Sequence, residues 1–172
     1  MAQTTNPQES LWGVDSSPAI KSYTLSNLRK IPQIEKFTEE QIFEMEVVAQ
    51  VLPFKANNYV IEQLIDWDNV PGDSMFNLTF PQKHMLKSEH YGMMASVLKN
   101  NPSPKEIKAM ADKIRLELNP HPAGQMELNV PILKDGTKLY GMQHKYKETT
   151  LFFPSQGQTC HAYCSFCFRW PQ

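Results

Sequence analysis

The stretch TCHAYCSFCFRWPQ, Thr159–Gln172, contains all three cysteines of the chain, and it decides how the rest of the sequence is interpreted. Cys160, Cys164 and Cys167 follow one another at intervals of four and three residues. Three thiolates at this spacing in one loop can converge on a compact metal centre. Soft sulfur ligands suit zinc, copper(I) or an iron–sulfur cluster.

The absence of a fourth cysteine helps to distinguish a zinc site from an iron–sulfur cluster. Structural zinc usually has four protein ligands. His161 directly follows Cys160, and adjacent side chains rarely chelate one tetrahedral ion well. Electron-transfer clusters usually take four cysteines. A [4Fe–4S] cluster held by three would keep one iron open for a non-protein ligand, which favours chemistry at the cluster. A non-enzymatic module that binds zinc or a partner stays open as the alternative.

Composition narrows the class of protein. The 172 residues are 41% hydrophobic and 20% charged, with a formal net charge of −1, so no basic field favours nucleic acid. No apolar run of about 18 residues predicts a membrane span. The polar start MAQTTNPQES lacks the features of a signal peptide, so we expect a cytoplasmic protein. In that compartment a cysteine cluster indicates metal binding or catalysis rather than disulfides.

The sequence divides into three parts. Residues 1–22 are polar and predicted to be flexible, residues 23–140 are mainly helical, and residues 141–172 contain a strand and the cysteine loop. Two helix starts are marked by capping boxes. Thr38 precedes Gln41 by three residues, and Ser103 precedes Glu106 with a proline at the first helical position between them.

Other segments carry weaker signals. The stretch SEHYGMMASVLKNNP predicts a short helix interrupted by Gly92. An irregular connector with a turn at KDGT is expected as far as Lys147. TTLFF, residues 149–153, predicts a short buried strand, because β-branched and aromatic residues lie between charge and proline. His84, His90 and His121 are expected to lie in polar surroundings.

Beyond the spacing, the sequence resembles a known family. C-x₃-C-x₂-C with an aromatic residue, Phe166, before the last cysteine is typical of radical S-adenosylmethionine enzymes. HKYKETTLFFPSQGQTCHAYCSFCFR, residues 144–169, resembles the approach to the cluster loop in the lysine 2,3-aminomutase family. NNYVIEQLIDWDNVPGDSMFNLTFPQ, residues 57–82, resembles an upstream segment of the same family.

The resemblance implies a fold and a set of cofactors. The fold of the whole protein would be an α/β barrel of the partial TIM type. This chain would contribute a mainly helical N-terminal region, the first barrel strand and the cluster loop. The cofactors would be a [4Fe–4S] cluster, S-adenosylmethionine and pyridoxal 5′-phosphate. The activity would be that of an isomerase: a 5′-deoxyadenosyl radical would start the migration of an amino group on an amino-acid substrate.

The resemblance also implies roles for individual residues. Cys160, Cys164 and Cys167 would ligate the cluster, Phe166 would pack beside the adenine, and Arg169 would pair with the substrate carboxylate. An electron donor such as flavodoxin or ferredoxin would reduce the cluster. The other barrel strands and the pyridoxal-phosphate lysine would lie beyond residue 172, so we expect this chain to be inactive alone.

The resemblance leaves open which partners the chain has and whether the whole protein uses pyridoxal phosphate. A second polypeptide could supply the missing strands, and the chain could also form a homo-oligomer. The whole protein could also use the cluster and S-adenosylmethionine without pyridoxal phosphate, for other radical chemistry.

Overall fold

A computed structural model describes residues 19–118, 125–152 and 162–163 of the chain. Its helices lie mainly between two short strands near the start and a pair of strands at the end of the described sequence. The α-helices are α1 (Glu39–Val51), α2 (Ser74–Thr79), α3 (Ser88–Lys99), α4 (Pro104–Leu118) and α5 (Gln125–Leu128). The strands are β1 (Ser22–Thr24), β2 (Lys55–Asn57), β3 (Met142–Tyr146) and β4 (Thr149–Phe152). Short 3₁₀ helices lie at Leu25–Lys30, Pro32–Lys36 and Lys83–Met85, and a π-helical turn at Val60–Leu64.

Both predicted capping boxes are confirmed. The Thr38 hydroxyl accepts from the Gln41 backbone, and the Gln41 side chain accepts from the Thr38 backbone at 2.9 Å. Ser103 and Glu106 exchange the equivalent pair, with the Ser103 backbone donating to the Glu106 carboxylate at 2.8 Å. These bonds satisfy backbone donors that the first helical turn leaves free.

The helix α1 lies between two hydrophobic clusters. One face packs into a cluster with residues 23–34 and 54–80, and the opposite face packs against α3 and α4. The first cluster takes Ile42, Met45 and Ala49 from α1, and the second takes Val47, Val48 and Val51. Apolar residues on both faces of a helix indicate burial on both sides, so α1 is the central element of the described part of the chain.

The helix α3 corrects one prediction. It runs from Ser88 to Lys99 without interruption, although Gly92 lies inside it. Gly92 is exposed, and a glycine there weakens a helix by only about 1 kcal/mol. Packing of Met94 and Ala95 against the second cluster, where both are buried, outweighs that loss.

The surroundings of His90 correct another prediction. This side chain is 4% exposed, and its Nε2 lies 3.0 Å from Oε2 of Glu117 on α4. Its neighbours in sequence are polar, but α4 covers it. His90 is therefore a buried histidine that links two helices.

The segment before the cysteine loop forms an antiparallel hairpin. The expected strand at Thr149 is confirmed as β4, and β3 replaces part of the expected irregular connector. Met142 pairs with Phe152, and Gln143 pairs with Leu151. The prediction that this strand is buried is wrong for the part described, because Phe152 is 68% exposed. Its place in a barrel stays a prediction.

The N-terminal end of the described chain is held by β2. The strands β1 and β2 are antiparallel, with Tyr23 opposite Ala56. Just before β1, the Lys21 backbone donates to the Asn58 side chain at 2.9 Å. Within the described residues, the helices are too short or too polar to cross a membrane.

Candidate functional site

The sequence predicts five site residues in the cysteine loop. All five lie outside the residues that the structure describes, so their roles stay predictions. They are Cys160, Cys164, Phe166, Cys167 and Arg169. Of the loop between the first two cysteines, the structure describes Ala162 and Tyr163.

Tyr163 makes hydrogen bonds to the helical region through its backbone N–H and through its phenolic hydroxyl. Its backbone N–H donates to the carbonyl oxygen of Leu78 at 2.7 Å. Its phenolic hydroxyl lies 3.2 Å from the carbonyl oxygen of Leu52 and 3.3 Å from that of Pro53, and donates to them. The side-chain contacts join parts of the chain 111 and 110 residues apart.

The acceptors are free because helices end there. The last four carbonyls of an α-helix lack partners within the helix. Leu78 lies in the last turn of α2, and Leu52 is the C-terminal cap of α1. Both carbonyls therefore need donors from elsewhere, and Tyr163 supplies them.

Arg115 of α4 supplies the donors for the two preceding carbonyls of α1. Its Nε donates to Val51 at 2.7 Å and its Nη2 donates to Gln50 at 2.9 Å. Asp112 holds the same guanidinium through Nη1 at 3.1 Å. Four consecutive carbonyls, residues 50–53, thus accept hydrogen bonds from Arg115 or Tyr163. A cation at this end of α1 also matches the negative end of the helix dipole.

Burial raises the pKa of the Tyr163 phenol well above its ordinary value of 10.0. Removing a phenolate from water is unfavourable, so burial favours the neutral form. The hydroxyl therefore keeps its proton at neutral pH. It can act as a donor to the carbonyls at the end of α1.

Leu78 is placed by an aromatic cluster in the segment 57–82. The rings of Phe76 and Phe80 stack with centroids 4.9 Å apart, and Trp67 meets both edge-on at 5.8 and 5.6 Å. The Trp67 indole donates to the Ile61 carbonyl at 2.7 Å. The two stretches that carry the family resemblance, residues 57–82 and 144–169, therefore meet at the Leu78–Tyr163 hydrogen bond.

His144, which could be considered as a ligand outside the loop, has local partners. Its backbone N–H donates to Asn129 at 2.8 Å, and its Nε2 lies 3.3 Å from the carbonyl of Lys147 in the hairpin turn. Among residues 19–118, 125–152 and 162–163, no group of three or more His, Cys, Asp or Glu side chains is placed to hold a metal ion.

Sequence reasoning missed Tyr163 and Arg115. A tyrosine between two cysteines gives no sign of its partners, because those partners are backbone carbonyls. The one available signal is position: Tyr163 directly precedes Cys164.

Comparison with known proteins supports the resemblance from the sequence. The chain is similar to a protein of Aquifex aeolicus (strain VF5) described as "Putative L-lysine 2,3-aminomutase". The two are 28% identical over 136 residues, which make up 79% of this chain and 26% of that protein. The chain thus spans about a quarter of the length of this relative. No protein-family model and no solved structure matches the chain.

Proposed function

We propose that this chain carries the cluster-binding loop of a radical S-adenosylmethionine protein of the lysine 2,3-aminomutase type. The observation that carries the proposal is the C-x₃-C-x₂-C spacing of Cys160, Cys164 and Cys167. The similarity to a protein described as an aminomutase, over most of this chain, supports it.

The donor set fits a [4Fe–4S] cluster better than zinc. Three thiolates supply soft ligands to three irons and leave the fourth iron for S-adenosylmethionine. A zinc site would need a fourth protein ligand, and the nearest candidate in sequence, His161, directly follows Cys160. When bound, such a cluster supplies the electron that cleaves S-adenosylmethionine reductively.

The other loop residues would then orient the small molecules. Phe166 would pack beside the adenine. Arg169 would pair with the carboxylate of an amino-acid substrate, since its planar guanidinium can donate two parallel hydrogen bonds to a carboxylate. The proposed activity of the whole protein is an isomerase reaction that moves an amino group between neighbouring carbons, with pyridoxal phosphate as a further cofactor.

Anaerobic reconstitution with iron and sulfide tests the proposal. We expect about four irons and four sulfides per chain, the content of a [4Fe–4S] cluster. Replacement of all three cysteines by alanine should abolish uptake. His144→Gln, a change on the strand β3, is the matched control and should leave it intact. Uptake of a single zinc in place of iron would favour the non-enzymatic alternative.

A second measurement tests whether S-adenosylmethionine binds the iron that has no cysteine ligand. S-adenosylmethionine added to the dithionite-reduced protein should change the electron paramagnetic resonance spectrum of the cluster. Adenosine, which lacks the amino and carboxylate groups, is the control and should change it less. An unaltered spectrum with S-adenosylmethionine would contradict the proposed class.

A further inference from the structure

We propose that Tyr163 is a positioning residue, which fixes the cysteine loop against the C-terminal end of α1 and thereby holds Cys164 for cluster binding. The metal-binding part of this inference rests on the proposed function. The docking part rests on contacts within the described residues.

The contacts restrain Tyr163 at two well-separated atoms. The backbone nitrogen is bound to Leu78, and the phenolic oxygen at the far end of the side chain is bound to Leu52 and Pro53. One contact would leave the residue free to rotate, whereas two at opposite ends fix position and orientation. Because Cys164 is the next residue in the chain, this restraint acts one peptide unit away from a proposed ligand.

The surface that receives Tyr163 is itself held in place. Arg115 binds the two carbonyls that precede Leu52, and those bonds fix the end of α1. Leu78 lies between Phe76 and Phe80 in the sequence, and both of these side chains are buried in the first hydrophobic cluster. A ligand loop docked on packed helices is better preorganised than one tethered only through its flanking chain.

Tyr163→Phe is the informative variant, because it removes the hydroxyl and keeps the ring. In the reconstituted full-length chain, we expect the variant to take up the same amount of iron as the wild type. We expect it to release iron to a chelator about threefold to tenfold faster, the ratio that the loss of one hydrogen bond produces. Tyr140→Phe is the matched control, since Tyr140 is 79% exposed, and it should release iron at the wild-type rate.

Docking can be measured without any metal. Hydrogen–deuterium exchange of the metal-free chain should show a protected Tyr163 amide, because that N–H donates to Leu78. Tyr163→Phe should accelerate this exchange by a similar factor, while Tyr140→Phe leaves it unchanged. Circular dichroism of each variant confirms that the helices are retained.

The outcomes separate the two proposals. A chain that takes up the cluster while Tyr163→Phe and wild type release iron equally contradicts the positioning role alone, and so does an unprotected Tyr163 amide. A wild-type chain that takes up no iron contradicts the proposed function, and with it the positioning of a ligand. Protection of the amide together with faster iron release in the variant supports both.

Discussion

At the scale of single residues, Arg115 of α4 caps the C-terminal end of α1 by donating hydrogen bonds to two of its carbonyls. We predict that Arg115→Met, which keeps much of the aliphatic stem, lowers the free energy of unfolding by about 1.5–3 kcal/mol, because hydrogen bonds from a charged donor are lost. Urea denaturation measures the change. Lys113→Met on the same helix is the control: its ion pair with Glu117 is exposed and 4.0 Å long, so about 0–1 kcal/mol is expected. Equal effects of the two changes would contradict the capping role.

The capping box of α4 predicts a pH dependence. Hydrogen bonds from the Ser103 side chain and backbone lower the pKa of Glu106 from 4.5. A carboxyl whose pKa is lower in the folded state stabilises the fold above its unfolded pKa, and this stabilisation disappears as the pH falls through the folded pKa. Ser103→Ala should therefore be destabilised at neutral pH, and its difference from wild type should shrink below pH 4.5.

Thermal unfolding between neutral and acidic pH checks this prediction. Ser96→Ala, an exposed change inside α3, is the control and should stay parallel to the wild type at all pH values. A difference between Ser103→Ala and wild type that is constant with pH would show that Glu106 is not the titrating partner.

Local partners were predictable at this scale and distant ones were not. Thr38 meets Gln41 three residues away, and the sequence shows both. Arg115 meets Val51 at a separation of 64 residues, and Tyr163 meets Leu52 at 111. Their acceptors are backbone carbonyls, which every residue has, so no sequence pattern marks them. The spacing of the cysteines identifies the candidate ligands, whereas the partners of Tyr163 can be identified only from the fold.

At the scale of elements, Gly92 shows how much the helix propensity of one residue contributes to the stability of α3. A Cβ added to Gly92 would meet no atom within 4 Å, and the residue lies inside α3. We predict that Gly92→Ala stabilises the chain by about 0.5–1 kcal/mol, because alanine loses less backbone freedom on folding. Gly136→Ala is the opposite control: its φ of +88° is unfavourable for a residue with a Cβ, and we expect destabilisation of about 1–2 kcal/mol. Denaturation midpoints of the two variants should move in opposite directions.

Helices were easier to predict than the hairpin, and the reason is physical. The start of α4 combines a capping serine, a proline and a glutamate with a regular apolar face. The strand β3 has the sequence MQHKY, which shows no strict alternation of polar and apolar residues. Its pairing with β4 depends on the turn between them, and strands depend on partners more than on propensity. The burial of His90 likewise depends on α4, which the local sequence does not reveal.

At the scale of the whole molecule, the described chain has a well-packed helical part and a more exposed C-terminal part. Five large apolar side chains between α5 and β4 are exposed: Leu128, Ile132, Leu133, Tyr140 and Phe152. Apolar side chains concentrated in one part of a chain are typical of surfaces that bind another protein segment. This part directly precedes the cysteine loop, where the proposed barrel would continue.

From these exposed apolar side chains we predict that the 172-residue chain self-associates. Phe152 lies on β4, whose one described partner is β3, and an uncovered strand with apolar side chains can pair with a second copy. We expect the sedimentation coefficient of the wild type to rise with protein concentration, and the double variant Tyr140→Lys, Phe152→Lys to reduce that rise, because a charge is unfavourable in an apolar contact. Leu116→Lys is the matched control: Leu116 is 60% exposed but lies on α4, and this change should leave the association as it is. A wild-type chain that sediments as a monomer at all concentrations, or a Leu116→Lys variant that is as dispersed as the double variant, would show that the hairpin surface does not drive association.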